Sequence, residues 1–439
     1  MGRLRYHFSG IAGAGVNPLA RLVQARGHSA QGSDRSFDQG KNAEVADELR
    51  RCGITVVPQD GAAVTSDIDR FVYSTAVEEE TPELRAARAT GIPCIPRPAL
   101  LAEVVNTGVP GIAISGTSGK STITGMVAWL AREAGVSATV IGGAALVGER
   151  GGLLVAGPTS APVVAEACES DGTLVGYRPL IGIIHNISRD HAELPSLRAQ
   201  FTKFARQCRR VFINAACPEA AALGQALGAL PYRVEADGVV RLPVSTLELR
   251  VPQPGRHNLE NAAAAALAGL AIGLDAATVQ SLLARFPGVA RRFEVVGTTA
   301  RGIRVVDDYA HNGAKIAATV AAAQAGSERV VAVFQPHGFG PARFLRAELC
   351  ELLPRTLRSQ DRFCYSEIFY AGGTIRRDIS SRDLMADLPE TLCCGYAADH
   401  AGVVDWVRSE ARPGDTVLLM GARDPELPRL ARALYSALA

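Results

Sequence analysis

The sequence lacks several features that would place it in a special class of protein. Its 439 residues carry a formal net charge of only +2, and no dense cluster of lysine and arginine indicates a nucleic-acid partner. Nine cysteines are scattered without C-x-x-C spacing, which favours reduced thiols over a disulfide framework. No apolar run reaches about 18 residues and no leader-like segment opens the chain, so we expect neither membrane spanning nor export. These absences predict a cytoplasmic protein. Its length is that of an enzyme and predicts roughly two to four domains.

What the sequence contains is an alternation of strand-like and helix-like segments. The segment "LRYHFSG" predicts a strand, "NPLARLVQARG" a helix that ends at Gly27, and "HSAQGSD" a second strand that ends at Asp34. Proline, glycine and a helix end between Asn106 and Pro110 predict a domain boundary. This organisation is typical of an α/β protein with parallel sheets.

A glycine-rich turn follows the first predicted strand. Gly10, Gly13 and Gly15 form the pattern G-x-x-G-x-G, because Ala12 stands where a glycine would complete the dinucleotide pattern G-x-G-x-x-G. Such a turn lets backbone N–H groups and a helix N-terminus approach a pyrophosphate. A purely structural βα turn is the alternative interpretation.

A second glycine-rich stretch, "ISGTSGKSTIT", lies between a predicted strand and a predicted helix that ends at Gly135. Two residues separate its glycines, fewer than the four of a standard P-loop, but the order of strand, glycine loop, lysine, hydroxyl and helix is that of a phosphate site. We expect Lys120 to bind the outer phosphates, and Ser121 or Thr122 to reach Mg²⁺. The predicted contacts of the nucleotide are Gly116, Thr117, Ser118, Gly119, Lys120, Ser121 and Thr122.

The shortened loop resembles the G-T-x-G-K-[ST]-T signature of the Mur ligases, ATP-dependent enzymes that add amino acids to UDP-N-acetylmuramate in cell-wall synthesis. Further segments follow in the order of that family: "VAEACESDG", "NISRDH", "RHNLENAAAAALA", "ARRFEVVG", "DDYAHN" and "VFQPHGF". The resemblance covers most of the chain and implies three α/β domains. They would be a Rossmann-like UDP-sugar domain over 1–107, a P-loop ATPase-like domain over 108–296, and a dinucleotide-binding-like domain for the amino acid over 297–439.

The chemistry of such an enzyme follows from the difficulty of making an amide from a carboxylate. ATP phosphorylates the carboxylate, and an amine then displaces phosphate through a tetrahedral intermediate. The resemblance therefore implies ATP and Mg²⁺ as cofactors. It also implies a UDP-N-acetylmuramate-type nucleotide sugar as partner and an amino acid, with L-alanine as the default. From the net charge and the lack of a long apolar run we expect neither a nucleic acid nor a membrane as partner. Two alternatives concern the amine donor, which could be a different amino acid or a preformed peptide. A third is that the protein binds nucleotide but no longer ligates. Residues expected at the UDP-sugar are Gly10, Gly13, Ala14, Gly15 and Asp34.

A carboxylate of the central domain is expected to hold metal. Glu166 ends the apolar segment "APVVAE", which places its carboxylate at the carboxyl edge of a sheet, where α/β proteins bind ligands. The resemblance implies that Glu166 and His191 ligate a second metal between ATP and the acyl group. Glu169, three residues further on, competes for this role.

Further roles come from the resemblance alone. It implies that Asn261 recognises adenine, that Arg292 stands against the ATP phosphates, and that Asp308 approaches the ribose. The alanine-adding member of the family usually has H-H-P-T after D-Y and an arginine directly after Q-P-H, whereas this chain has "HNGA" at 311–314 and a glycine after its histidine. The identity of the amine is therefore open. Candidate residues for binding it are His311, His337 and Arg343.

Overall fold

The structure is a computed structural model that describes the chain except residues 1, 75–76, 78–79, 150–151, 171, 189–192, 236–237, 244, 371–375 and 390. Contacts divide the chain into two compact units, 1–289 and 290–439, and each is described by itself. The described residues form three mixed or parallel sheets with helices between the strands, so the predicted α/β class is confirmed. The predicted domain limits at 107 and 296 stay predictions. None of the described helices combines the length and apolar composition needed to cross a membrane.

The first sheet of the N-terminal unit is parallel, with the strand order β3-β2-β1-β4-β5. Its strands, β1 to β5, are Arg5–Ser9, Ser29–Ser33, Thr55–Val56, Arg70–Tyr73 and Cys94–Pro96. Its helices, α1 to α5, are Asn17–Ala25, Arg35–Asp38, Ala43–Arg51, Pro82–Ala89 and Arg97–Asn106. Helix α1 has a proline in its first turn and is followed by Gly27 in the left-handed region, as the sequence predicts.

The second sheet of this unit has nine strands in the order β14-β13-β12-β11-β10-β6-β9-β7-β8. Strands β6 to β14 are Gly111–Ser115, Thr139–Gly142, Leu153–Val155, Val163–Ala167, Ile181–Ile184, Arg210–Asn214, Leu230–Val234, Val239–Arg241 and Thr246–Glu248. Its helices, α6 to α10, are Lys120–Glu133, Leu194–Gln207, Pro218–Leu227, Arg256–Ala271 and Ala276–Leu283. Strand β6 is buried along its whole length between β9 and β10, as expected for a central parallel strand.

Two hydrophobic cores flank the second sheet. On one face, helices α6 and α9 pack closely because α9 carries a run of five buried alanines, 262–266. On the other face, the core continues into the first sheet: Phe8 and Leu19 belong to the same buried cluster as Ile184 and Phe201. The two sheets of the N-terminal unit are thus joined by shared apolar packing, which orients their carboxyl edges relative to each other.

The C-terminal unit has one sheet, with the strand order β15-β16-β20-β17-β18-β19. Strands β15 to β20 are Glu294–Thr298, Arg304–Asp308, Val330–Gln335, Arg362–Ser366, Cys394–Ala397 and Thr416–Gly421. Helices α11 to α15 are Gly313–Ala325, Phe339–Thr356, Ser381–Ala386, His400–Glu410 and Leu427–Leu438. Only β15 is antiparallel to its neighbour within the described residues, so the carboxyl ends of β16, β20 and β17 meet at one edge.

Candidate active site

The loop after β6 has the geometry of a phosphate-binding turn. Gly116 and Gly119 adopt φ values of +145° and +82°, which L side chains rarely adopt, and α6 begins directly afterwards at Lys120. A Cβ atom at Gly119 would lie 2.5 Å from the Oδ1 atom of Asn261, so a larger residue does not fit there. The N-terminus of α6 therefore opens onto the loop with its amide groups, an arrangement that attracts anions.

Lys120 is held inside this loop by a buried carboxylate. Its Nζ atom donates to Glu169 Oε2 at 2.8 Å and to the carbonyl oxygen of Gly116. The side chains of Lys120 and Glu169 are only 12% and 2% exposed. Burial by itself lowers the pKa of Lys120, but the acidic groups around it, Glu169 first, raise it above its usual value. Lys120 is therefore a charged donor at neutral pH, placed where the outer phosphates of a nucleotide are expected.

Glu166 and Glu169 have different partners, although they are three residues apart. Glu166 Oε2 accepts a hydrogen bond from the Ser121 hydroxyl at 3.1 Å, and Glu166 Oε1 accepts one from the N–H of Gly143 at 2.9 Å. The structure thus brings the predicted metal residues Ser121 and Glu166 together, while Glu169 faces Lys120. Thr122, the other candidate hydroxyl, is the third residue of α6. His191 lies outside the described residues, so its pairing with Glu166 stays a prediction.

The segment after β10 holds the phosphate loop in place. The side chain of Asn186 accepts from the N–H of Ser118 at 2.8 Å and from the hydroxyl of Thr117 at 3.0 Å. The hydroxyl of Ser188 lies 2.7 Å from that of Thr117. The motif "NISRDH" predicted only His191 as a site residue, and Asn186 was not predicted from the sequence. Its signal is a polar residue that follows a buried strand, at the edge where α/β proteins bind ligands.

His185 and Asn261 lie against the same loop from inside the protein. The Nδ1 atom of His185 is 2.8 Å from the hydroxyl of Tyr232, and burial, with smaller contributions from His257 and Lys120, lowers the pKa of His185 to about 4. Asn261 Oδ1 is buried and has no hydrogen-bond partner among the residues that the structure describes. A buried acceptor without a partner beside a glycine loop suits a ligand contact. The assignment of Asn261 to adenine stays a prediction.

The first glycine turn lies at the carboxyl ends of β1 and β2. The N–H groups of Gly10 and Ile11 donate to the carbonyl of Ser33, and the N–H of Ala12 donates to Asp34 at 3.0 Å. Asp34 therefore supports the turn and also caps α2. Three predicted contact residues, Gly13, Ala14 and Gly15, follow at the tip, where the first two are exposed. Their contact with a nucleotide sugar stays a prediction.

A buried carboxylate that the sequence did not reveal connects these two strands. Glu83 on α4 is fully buried and lies 2.8 Å from His7 Nε2. It also accepts hydrogen bonds of 2.5 Å from the hydroxyls of Ser9 and Ser33, the last residues of β1 and β2. A buried charge requires such partners. Glu83 thereby positions the strand ends from which the first glycine turn begins.

In the C-terminal unit, Asp308 is buried, and both of its carboxylate oxygens accept hydrogen bonds from nearby backbone N–H groups. One oxygen accepts from the N–H of Phe293 at 2.7 Å, and the other accepts from the N–H of Ala310 at 2.7 Å. Burial raises the pKa of Asp308, against the opposing effect of nearby Arg292. The guanidinium of Arg292 lies 5.2 Å from the centre of the Tyr309 ring. The structure thus places Arg292 near Asp308, whose carboxylate holds the turn that carries Arg292, while the predicted roles of Arg292 at the ATP phosphates and of Asp308 at the ribose stay predictions.

His311 and His337 meet at the carboxyl edge of the third sheet, with ring centres 5.6 Å apart. Burial, with nearby positive charge, lowers the pKa of each to about 4. His311 Nδ1 lies 2.8 Å from the carbonyl oxygen of Tyr309. Because a carbonyl only accepts, Nδ1 carries the hydrogen and Nε2 keeps a lone pair. Arg343 is already engaged, since it forms an ion pair with Asp378 and donates to the Arg376 carbonyl at 3.0 Å.

Comparison with known proteins identifies the family. A relative from Symbiobacterium thermophilum, named UDP-N-acetylmuramate–L-alanine ligase, is 34% identical over 99% of this chain and 94% of its own length. One of the same name from Xanthomonas oryzae is 33% identical over 96% and 93%. The chain belongs to the Mur ligase family. The family models for the Mur ligase catalytic domain and the Mur ligase glutamate ligase domain match residues 5–108 and 291–423.

Solved structures confirm that the chain has the fold of a Mur ligase. A UDP-N-acetylmuramate-alanine ligase from Thermotoga maritima superimposes with a TM-score of 0.76 at 24% identity, covering 99% of each chain. A murein peptide ligase from Psychrobacter arcticus gives 0.70 at 22% identity, covering 99% of this chain and 98% of its own. The family and the three-domain Mur ligase architecture predicted from the sequence motifs are therefore confirmed.

Proposed function

We propose that this Mur ligase joins L-alanine to the carboxylate of UDP-N-acetylmuramate, with ATP as the source of energy, in the synthesis of peptidoglycan precursors. The observation that carries the proposal is identity of about one third, over nearly the whole chain, to relatives named for this reaction. The phosphate loop with buried, charged Lys120 supports the ATP-dependent step.

The reaction requires two displacements. An oxygen of the sugar carboxylate attacks the γ-phosphorus of ATP, the bond to the β-phosphate oxygen breaks, and ADP leaves an acyl phosphate behind. The amine of the amino acid then attacks the acyl carbon, loses a proton, and expels inorganic phosphate. Negative charge builds up on the leaving β-phosphate oxygen during the first step. Lys120 and the amides at the start of α6 stabilise that charge.

Mg²⁺ fits the oxygen donors beside this loop. The Ser121 hydroxyl and the Glu166 carboxylate, 3.1 Å apart, are hard ligands of the kind that Mg²⁺ prefers when nucleotide phosphates complete its shell. When bound, Mg²⁺ neutralises the charge of the phosphates during transfer. We propose Ser121 as a protein ligand of this ion, and Glu166 with His191 as ligands of the second metal that the family resemblance implies. Glu169 instead keeps Lys120 oriented.

The other substrate contacts belong to the same proposal. The turn at Gly13, Ala14 and Gly15 would bind the UDP-sugar through backbone N–H groups. In the C-terminal unit, Arg292 would stand against the ATP phosphates, with Asp308 fixing its turn. The neutral rings of His311 and His337 suit contact with an incoming amine, because an uncharged imidazole does not repel it.

A preformed peptide as the amine donor is the second candidate. A cleft of about 500 Å³ opens at the carboxyl ends of β17, β18 and β19, and Gln335, Glu367 and His400 contribute to its walls. The backbone of His337 forms an isolated β-bridge with Phe369, which lines this cleft. The space next to the histidine pair would accommodate an amine donor longer than alanine.

One assay separates these candidates. The purified protein is incubated with ATP, Mg²⁺, UDP-N-acetylmuramate and either single amino acids or short peptides that begin with L-alanine. Phosphate release and product mass are followed, and donors are compared by kcat/KM, because one methylene is worth only about 1 to 3 kcal/mol of discrimination. We expect L-alanine to rank first. A peptide that ranks first would favour the second candidate, and acyl phosphate formation with no amine accepted would contradict both.

A further inference from the structure

An arginine at the edge of the third sheet has a position that the proposed function does not yet use. Strand β20 lies between β16 and β17, with Met420 paired to Asp308 and Gly421 paired to Gln335. The segment that follows β20 therefore leaves the sheet between the segments that carry His311 and His337. Arg423 is the second residue after β20, so it emerges at the carboxyl edge where α/β proteins bind ligands.

The backbone of Arg423 is strained. Its φ of +64° lies in the left-handed region, where a residue with a side chain costs about 1 to 2 kcal/mol. The neighbouring Asp424 holds the turn in this conformation, because its carboxylate accepts from the N–H of Glu426 at 2.9 Å and lies 3.2 Å from His400 Nε2. Strain of this kind, maintained by surrounding contacts, is found at functional sites.

Arg423 is exposed, and its charge is not matched by any described residue. Among the residues that the structure describes, no carboxylate forms an ion pair with it and no hydrogen bond to it is found. Arg343 differs in this respect, since its charge is matched by Asp378. Arg423 also lies close to His337: burial is the main cause of the low pKa of that ring, and the charge of Arg423 is the second cause. A guanidinium that has no partner among the described residues, near the neutral ring of His337, is suited to an anionic ligand.

We propose that Arg423 binds the carboxylate of the incoming amino acid and so selects donors that carry one. The inference rests on the proposed function. The amine of the donor must stay free to attack, which leaves the carboxylate as the group by which the enzyme can orient it. Guanidinium groups bind carboxylates through two parallel hydrogen bonds, and this fixes direction as well as position.

The decisive variant is Arg423→Gly, because glycine adopts a φ of +64° without strain and keeps the turn while the guanidinium is lost. We expect the KM for L-alanine to rise about 10- to 100-fold, the loss that corresponds to a hydrogen bond to a charged group. The KM values for ATP and UDP-N-acetylmuramate should stay within about twofold. Arg423→Lys should recover part of the loss. Arg346→Gln, which breaks an exposed ion pair with Asp387, is the control and should leave all three KM values unchanged.

A second donor distinguishes carboxylate binding from a purely structural effect. L-alaninamide has the same amine but no carboxylate, so the wild-type enzyme should prefer L-alanine and Arg423→Gly should lose most of that preference. An unchanged KM for L-alanine in Arg423→Gly, or a rise in Arg343→Ala instead, would overturn the inference and leave the proposed function intact. Wild-type enzyme that accepts no amino acid at all would overturn the proposed function and the inference with it.

Discussion

Replacing Lys120 by methionine should have two effects that can be separated, one on stability and one on catalysis. The Nζ atom of Lys120 lies 2.8 Å from Glu169 Oε2, and the two side chains are 12% and 2% exposed. Removing one member of a buried pair leaves the other charge without compensation, at a cost of about 3 to 5 kcal/mol. Loss of a preorganised donor for the transferred phosphoryl group should also reduce kcat by about 10² to 10³.

The double variant Lys120→Met/Glu169→Gln separates these effects. Because it leaves no unpaired buried charge, we expect most of the lost free energy of unfolding to return. Catalysis should stay as low as in the single variant, since the donor is still missing. Arg329→Met is a matched control in the C-terminal unit, where Arg329 and Asp415 form a pair that is 8% and 4% exposed. It should lose stability while kcat, measured well below its unfolding transition, is retained.

The chain offers a convenient reporter for this experiment. It has two tryptophans, Trp129 in the second half of α6, where its indole N–H donates to the Leu282 carbonyl, and Trp406 on α14 of the C-terminal unit. In a Trp406→Phe background, fluorescence during urea unfolding follows the N-terminal unit alone, while phosphate release measures turnover. Wild-type turnover of ATP in either Lys120 variant would refute the catalytic argument. A single variant as stable as the wild type would refute the role of the buried pair.

Three further changes test other contacts. Asn186→Ala should raise the KM for ATP roughly tenfold, because the N–H of Ser118 loses its partner; an unchanged KM would show that the loop holds its shape without this side chain. Glu83→Gln should lower the free energy of unfolding by about 1 to 3 kcal/mol and weaken UDP-sugar binding, as urea unfolding and calorimetric titration would measure; wild-type values of both would contradict the positioning role. His185 has a pKa of about 4 when folded and 6.5 when unfolded, so the unfolded chain binds more protons and stability falls as the pH drops from 6.5 towards 4. The loss in the free energy of unfolding is about 3 kcal/mol at pH 4. Urea unfolding of His185→Gln, followed by Trp129 fluorescence, should not show this loss. A variant that loses as much stability as the wild type over this pH range would contradict the argument.

Local signals were sufficient to predict several parts of this protein. The strand β6, the glycine loop and the start of α6 are contiguous in sequence, so the phosphate loop and Lys120 could be identified without knowledge of the fold. The first βαβ segment could be predicted equally well, because a proline lies in the first turn of α1 and Gly27 follows its end. The motifs and their order along the chain predicted the family, and the family in turn predicted the three-domain architecture.

Contacts between distant segments could not be predicted in this way. Glu166 and Glu169 carry the same side chain, and only the packing of β9 beside β6 directs one to Ser121 and the other to Lys120. Asn186 reaches the phosphate loop because β10 lies on the other side of β6, about 70 positions away in sequence.

The sequence by itself determined the local elements, the phosphate loop and the family, because each depends on residues close together or on motifs in a recognisable order. The tertiary structure alone decided which side chains share a site. Glu83 meets the hydroxyls of Ser9 and Ser33 because α4 packs where β1 and β2 end. Arg423 emerges at the sheet edge that carries His311 and His337 because β20, the last strand, inserts between β16 and β17. Strand order is set by long-range burial of apolar faces, and its consequences appear only when the chain is folded.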